Sequence, residues 1–172
     1  MIEENGFRYL DKEDIARIHA ALSAWTEKEG EPVPPFSLAK EADIDSLVNI
    51  SRHRFFDREA YPTLEEKAAI IFYTVNKRQI FLNGNKRMST LCLLVFLGVN
   101  DKTLAVGADE LTDKALWLAK TDTLDFPSVK KDLAHWIHSH LVDYGPNETI
   151  ADTSTTTQPP RDQPSTDAQV GE

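Results

Sequence analysis

Apolar residues recur along most of the chain at intervals of three and four, the spacing that gives a helix one buried stripe. Ile15, Ile18, Leu22 and Trp25 follow this rule behind Asp11, a residue type that caps helices, and Gly30 with Pro32, Pro34 and Pro35 predicts where that first helix stops. Ile44, Leu47 and Val48 predict a second helix, ending near Arg52-His53-Arg54-Phe55-Phe56. Thr63 and Glu66 have the spacing of a capping box, and Ala68, Ile71, Phe72 and Val75 give a third helix its stripe. The fourth differs, because from Met88 to Leu97 apolar residues occur nearly all round, which predicts a helix at the centre of a bundle. Two amphipathic helices follow, about Ala108 to Lys120 and Pro127 to Val142, with Pro127 suited to a first turn. Strand-like alternation competes only as a short hairpin between Phe55 and Pro62. The expected fold is all-α, about six helices around one buried central helix, with a short hairpin flap.

The periodicity stops near Gly145. Beyond it come Thr153-Ser154-Thr155-Thr156-Thr157-Gln158-Pro159-Pro160 and almost no large apolar residue, too little burial to offset the entropy of ordering the segment. The expected division is therefore a helical domain over 1–144 and a disordered, acidic, Thr/Pro-rich tail over 145–172. Charge divides the same way. The net charge is −9, and the tail carries Glu148, Asp152, Asp162, Asp167 and Glu172 against Arg161, so residues 1–144 hold only −5. This balance disfavours nucleic acid as a partner, because phosphate backbones need an extended basic surface. A single Cys excludes an intramolecular disulfide, and no Cys/His spacing of the zinc-site kind occurs. The start, Met1-Ile2-Glu3-Glu4-Asn5-Gly6, lacks the basic and apolar regions of a signal peptide. The longest apolar run, Leu91 to Val99, is far short of the roughly 18 residues that suggest a membrane span. A cytoplasmic protein without a membrane partner is expected.

Against this acidic background, Lys77, Arg78, Lys86 and Arg87 fall in an 11-residue window without a carboxylate. The window covers a helix end, a turn at Asn83-Gly84 and the start of the buried helix. Unpaired N–H groups at a helix N-terminus carry the positive end of the macrodipole, so Gly84-Asn85-Lys86 offers an anion hole with cations beside it. A solvated basic turn is the competing reading. The common phosphate loop, GxxxxGK followed by Ser or Thr, is absent.

The segment Gln79-Ile80-Phe81-Leu82-Asn83-Gly84-Asn85-Lys86-Arg87 resembles the signature of the Fic/Doc family, H-x-F-x-(D/N)-(A/G)-N-K-R in its Doc (death-on-curing) branch. Eight of the nine positions comply, and Gln79 replaces the His. The flanks resemble Doc-type sequences as well, in Tyr61-Pro62-Thr63-Leu64-Glu65-Glu66-Lys67-Ala68 before the motif and Phe96-Leu97-Gly98-Val99-Asn100 after it. Likeness is expected over roughly residues 9 to 142. The resemblance implies the all-helical Fic core, with Phe81 as the buried anchor of the loop and Asn83 helping to hold Mg²⁺. It further implies that Gly84, Asn85 and Lys86 form the phosphate cradle of ATP and that Arg87 contacts a phosphate. In the family the His is the general base for a target hydroxyl, which receives AMP or, in the Doc branch, the γ-phosphoryl group. Doc-type proteins resemble a toxin of this sort, acting on elongation factor Tu and blocked by a small antitoxin.

Gln79 is the departure that bears on catalysis. An amide has no accessible protonation near neutral pH, and loss of a general base typically slows a reaction about 10²- to 10⁴-fold. Nucleotide binding, which rests on backbone N–H groups and cations, should survive. Phosphoryl transfer depends mainly on positioning and electrostatics, and a Gln can orient a nucleophile without deprotonating it, so some turnover stays open. Two readings follow: a Doc-like transferase toxin attenuated or inactivated at Gln79, and a non-catalytic Fic-fold protein that binds nucleotide or a partner.

Other residues call for plainer roles. His135 and His138 face away from the stripe of Leu133, Trp136, Ile137 and Leu141, and with His140 they lack a completing carboxylate, so no metal site is expected. His53, ahead of the flap, is read as a surface histidine with a rescuing base as the alternative, and Cys92 as an inert core thiol. Trp25, Trp117 and Trp136 are expected to pack in the core. The self-inhibiting members resemble one another in a Ser/Thr-x-x-x-Glu-Gly/Asn helix, but Glu29-Gly30 has Trp25 at the hydroxyl position, so control by a separate antitoxin is expected.

Overall fold

The computed structural model describes residues 1–145; nearly all of the expected tail lies outside the described residues. Helix α1 spans Lys12–Lys28 behind a reciprocal capping box: the Asp14 N–H donates to Asp11 Oδ1 at 2.9 Å and the Asp11 N–H to Asp14 Oδ2 at 3.1 Å. It buries Ile15, Ile18, His19, Leu22 and Thr26. The structure corrects the placing of Trp25, which is 54% exposed. At 100° per residue Trp25 lies about 60° from Leu22 and Thr26 about 40° on the other side, so Thr26 takes the buried place. Its hydroxyl is satisfied by donating to the Leu22 carbonyl at 3.0 Å.

A 3-10 turn at Phe36–Leu38 leads into α2, Glu41–Ile50. The expected hairpin follows, β3 (Arg54–Phe55) antiparallel to β4 (Arg58–Glu59), with Phe55 opposite Arg58. Then come α3 (Leu64–Arg78), α4 (Asn85–Val99), α5 (Ala108–Lys120) and α6 (Phe126–His140). Two further strand pairs contradict the expectation of a single hairpin. Ile2–Glu4 (β1) pairs with Phe7–Tyr9 (β2) across Asn5-Gly6, both at positive φ, the conformation that lets a two-residue turn follow the twist of its strands. Lys102–Leu104 (β5) pairs with Leu141–Asp143 (β6), so α6 stops before the expected Val142. Strands of three residues are too short to show alternation, and Leu141 fits the helical stripe until the ladder claims it.

The centre of the bundle is a pair of helices rather than one. Helix α4 buries Met88, Ser89, Cys92, Leu93, Phe96 and Leu97, while α3 buries an unbroken run from Lys67 to Phe72 and then Thr74, Val75 and Asn76. Helix α3 packs against α2, α4, α5 and α6. Its polar residues hide this in the sequence, yet they are buried with partners: Lys67 Nζ donates to Glu59 Oε2 and to the Tyr61 carbonyl, each at 2.7 Å. Asn76 Nδ2 donates to the Ala115 carbonyl at 3.1 Å. Among the described residues, no helix is long and apolar enough to cross a membrane.

Candidate functional site

The two central helices meet at one turn. Helix α3 ends on Gln79, whose φ of 48° and ψ of 54° are left-handed. For a residue with a Cβ this conformation costs roughly 1–2 kcal/mol, so backbone strain sits on the motif's first position. Ile80 and Phe81 then turn inward and are buried, Leu82 and Asn83 turn outward, and Gly84 begins α4.

Phe81 is buried among aromatic rings. Its ring lies 5.3 Å from His19 of α1 and 6.2 Å from Phe36, which are themselves 5.5 Å apart. The main chain of Phe81 is held by Asn85, whose Oδ1 accepts from the Phe81 N–H at 2.9 Å and whose Nδ2 donates to its carbonyl at 2.6 Å. The Asn85 side chain therefore shapes the turn, and only its backbone N–H is left for a ligand. Gly84 is required twice over. Its φ is +80°, and a Cβ there would stand 3.0 Å from Val33 Cγ1 and 3.5 Å from Leu22 Cδ2.

At the start of α4 the Met88 N–H is the first to bond back, to the Gly84 carbonyl at 2.8 Å. The N–H groups of Asn85, Lys86 and Arg87 precede it, and no side chain caps them. Three donors and the positive helix end thus face outward beside Lys86, which is exposed and without an ion pair among the described residues. Arg87 pairs with Glu31 at 3.6 Å, a contact with both partners open to solvent that a stronger anion can displace.

The other two cations of the basic window are engaged elsewhere. Lys77 Nζ donates to the Ala119 carbonyl at 3.3 Å and to that of Thr121, closing the end of α5, and Arg78 Nη1 donates to Ser46 Oγ at 2.7 Å. Asn83 Oδ1 accepts the Gly84 N–H at 2.7 Å. An amide oxygen keeps a second lone pair, so Asn83 could offer one hard, neutral donor to a divalent cation. Among the described residues, no three His, Cys, Asp or Glu side chains gather as a metal site.

The remaining candidates fall where no chemistry needs them. His135 and His138 are exposed, and His138 Nδ1 lies 3.0 Å from Glu65 Oε1. His53 is exposed with its ring 4.8 Å from Phe55. Cys92 is fully buried, which pushes its thiol up to about 12. Trp117 is 37% exposed, not a core residue, and Lys114 lies over its ring at 4.7 Å and over that of half-buried Trp136 at 5.0 Å. His19 was not foreseen. It is buried, and burial holds its pKa below the ordinary imidazole value, with a backbone bond to Pro34 opposing the shift. The available signal was its place four residues after Ile15, on the stripe.

The sequence matches the Fic/DOC family model over residues 9–97. The chain belongs to the Fic/DOC family. The matched span runs from the end of β2 to the last turns of α4, so it holds the whole turn and stops short of α5 and α6 and of the expected residue 142. No match is found among curated proteins. Fic/DOC membership accounts for the all-helical core and makes Fic-type transferase activity the relevant chemistry.

Proposed function

We propose that this Fic/DOC protein is a Doc-like toxin of a toxin–antitoxin module, built to transfer a phosphoryl or adenylyl group from Mg-ATP to a hydroxyl of a target protein such as elongation factor Tu. The observation that carries this reading is the uncapped start of α4, three N–H donors with Lys86 and Arg87 beside them, next to a turn locked by Phe81, Asn85 and Gly84. Preorganised donors of this kind stabilise the charge that grows on phosphate oxygens during transfer. A P–O bond to the target hydroxyl forms as the P–O bond to the nucleotide leaving group breaks, and Mg²⁺, when bound, neutralises the phosphates.

Position 79 holds no general base, so the hydroxyl proton passes to a phosphate oxygen or to water as the P–O bond forms. Gln79 is exposed and makes no side-chain hydrogen bond among the described residues, so its amide oxygen can accept from the hydroxyl and orient it. Turnover is then slow, and a small antitoxin acting in trans in the cytoplasm is the natural control. Gln79 also favours the second reading, a Fic-fold protein that binds nucleotide or a partner without turnover.

The test incubates the protein and its Gln79→His variant with labelled Mg-ATP and a cell extract. Label on one extract protein in both samples, about 10²- to 10⁴-fold faster with His, supports an attenuated enzyme. Label with the His variant alone supports an enzyme inactivated at Gln79, and bound nucleotide without label in either sample supports the binding protein. No label and no bound nucleotide in either contradicts both.

A further inference from the structure

We infer that the β3–β4 hairpin is a flap latched to the body at one side chain, Glu59, and that releasing Glu59 frees the hairpin while the helices stay folded. Every residue from His53 to Arg58 is exposed, Phe55 by 64% and Phe56 by 101%, so Glu59 is the first side chain of the hairpin to reach the body. Its carboxylate is held from two directions. Oε2 accepts from Lys67 Nζ of α3 at 2.7 Å, and Oε1 accepts from Nδ2 of Asn5, in the turn between β1 and β2, at 2.8 Å. Among the described residues no other side chain of the hairpin bonds to the body. Arg54 Nη2 donates to the Asp57 carbonyl inside the hairpin, and the Ala60 N–H closes its base on the His53 carbonyl at 2.9 Å.

A fully buried ammonium ordinarily cannot spare its counter-ion, because an uncompensated charge is then left in the core. Lys67 can. Its Nζ also donates to the Tyr61 carbonyl at 2.7 Å and to that of Ser51 at 3.5 Å, and it lies over the rings of Phe7 at 4.9 Å and Tyr9 at 5.6 Å. The Glu59 side chain is 20% exposed, so its carboxylate enters water as soon as the hairpin swings out. Both halves of the ion pair thus keep polar partners after it breaks, which separates a latch from a support of the core. The tip is biased towards opening as well. Phe56 has a φ of 53°, costly for a bulky residue, and it is kept there by the pairing of Phe55 with Arg58 around it. Two water-exposed aromatic rings therefore ride on an element fastened to α3 and to the N-terminal hairpin through a single carboxylate.

The test reads amide hydrogen exchange segment by segment, and trypsin cleavage after Arg54 and Arg58, in the full chain, in Glu59→Gln and in Asn5→Ala. No nucleotide is needed, so the outcome is independent of the site at the start of α4. Glu59→Gln should speed exchange over residues 53–60, and cleavage within the hairpin, by about tenfold or more, while exchange in α3 and α4 and the denaturant midpoint stay as in the unsubstituted protein. Asn5→Ala removes the second tie without disturbing the buried ammonium, and it should speed the same amides by a smaller factor. Unchanged exchange in the hairpin of both variants would overturn the latch. A loss of protection spread over α3 and α4 in Glu59→Gln would overturn it too, since the pair would then hold the core together rather than the hairpin to it.

Discussion

Lys77 and Lys86 stand nine residues apart on either side of one turn and look alike in the sequence, yet the fold gives them opposite tasks. Lys77 sits at the end of α3, and its ammonium closes the last carbonyls of α5. Lys86 sits in the first turn of α4, where N–H groups rather than carbonyls are unpaired, and its ammonium is unengaged among the described residues. A carbonyl end attracts the cation of its own chain; an N–H end repels it and leaves it for an anion. The carbonyl end of α5 and the N–H end of α4 thus sort a uniform basic window into a cation held by carbonyls and a cation left without a partner among the described residues.

The largest effect that sharpens this contrast after Gln79→His is Gly84→Ala. The positive φ and the approach to Val33 together predict a stability loss of about 2–4 kcal/mol and a distorted cradle, read from denaturant unfolding and nucleotide titration. A variant of wild-type stability would mean that the α4 end is not fixed by Val33 and Leu22. Next, Lys77→Ala should lower unfolding free energy by about 1–2 kcal/mol while leaving nucleotide affinity as it was. A loss of affinity instead would return Lys77 to the site.

The smallest effect is a pH dependence at the anchor between the two ends. Burial lowers the pKa of His19 in the folded state, so the stability it contributes is full above about pH 6.5 and declines as pH falls towards the lowered value. His19→Phe keeps an aromatic ring against Phe81 and should flatten that decline below about pH 6.5, measured as the difference in unfolding free energy. Parallel pH profiles for the two proteins would mean that His19 does not set the pH dependence of stability.

The helices and the turn were legible because their signals are local: Asp11 and Thr63 cap, Gly84 breaks the period, and the stripes repeat. What stayed hidden depended on partners far along the chain. The polar Lys67 and Asn76 are buried because Glu59, Tyr61 and Ala115 receive them, which no periodicity records, so α3 shares the centre with α4. Trp25 and Thr26 compete for one place on α1, and size favoured the wrong one. The strand at Leu141–Asp143 exists only because Lys102–Leu104 stands beside it. At the site, the motif marked the turn, but only the fold shows that Asn85 holds the Phe81 main chain with its side chain and that Lys77 is engaged at the end of α5.

If the start of α4 cradles phosphate and the end of α3 does not, Lys86 and Lys77 must differ in what they contribute to nucleotide binding. A calorimetric titration of Mg-ATP into the protein, Lys86→Ala and Lys77→Ala tests it most directly. Lys86→Ala should weaken binding by about 1–3 kcal/mol and Lys77→Ala should leave it intact. Equal affinities in all three proteins, or no binding in any, would contradict it.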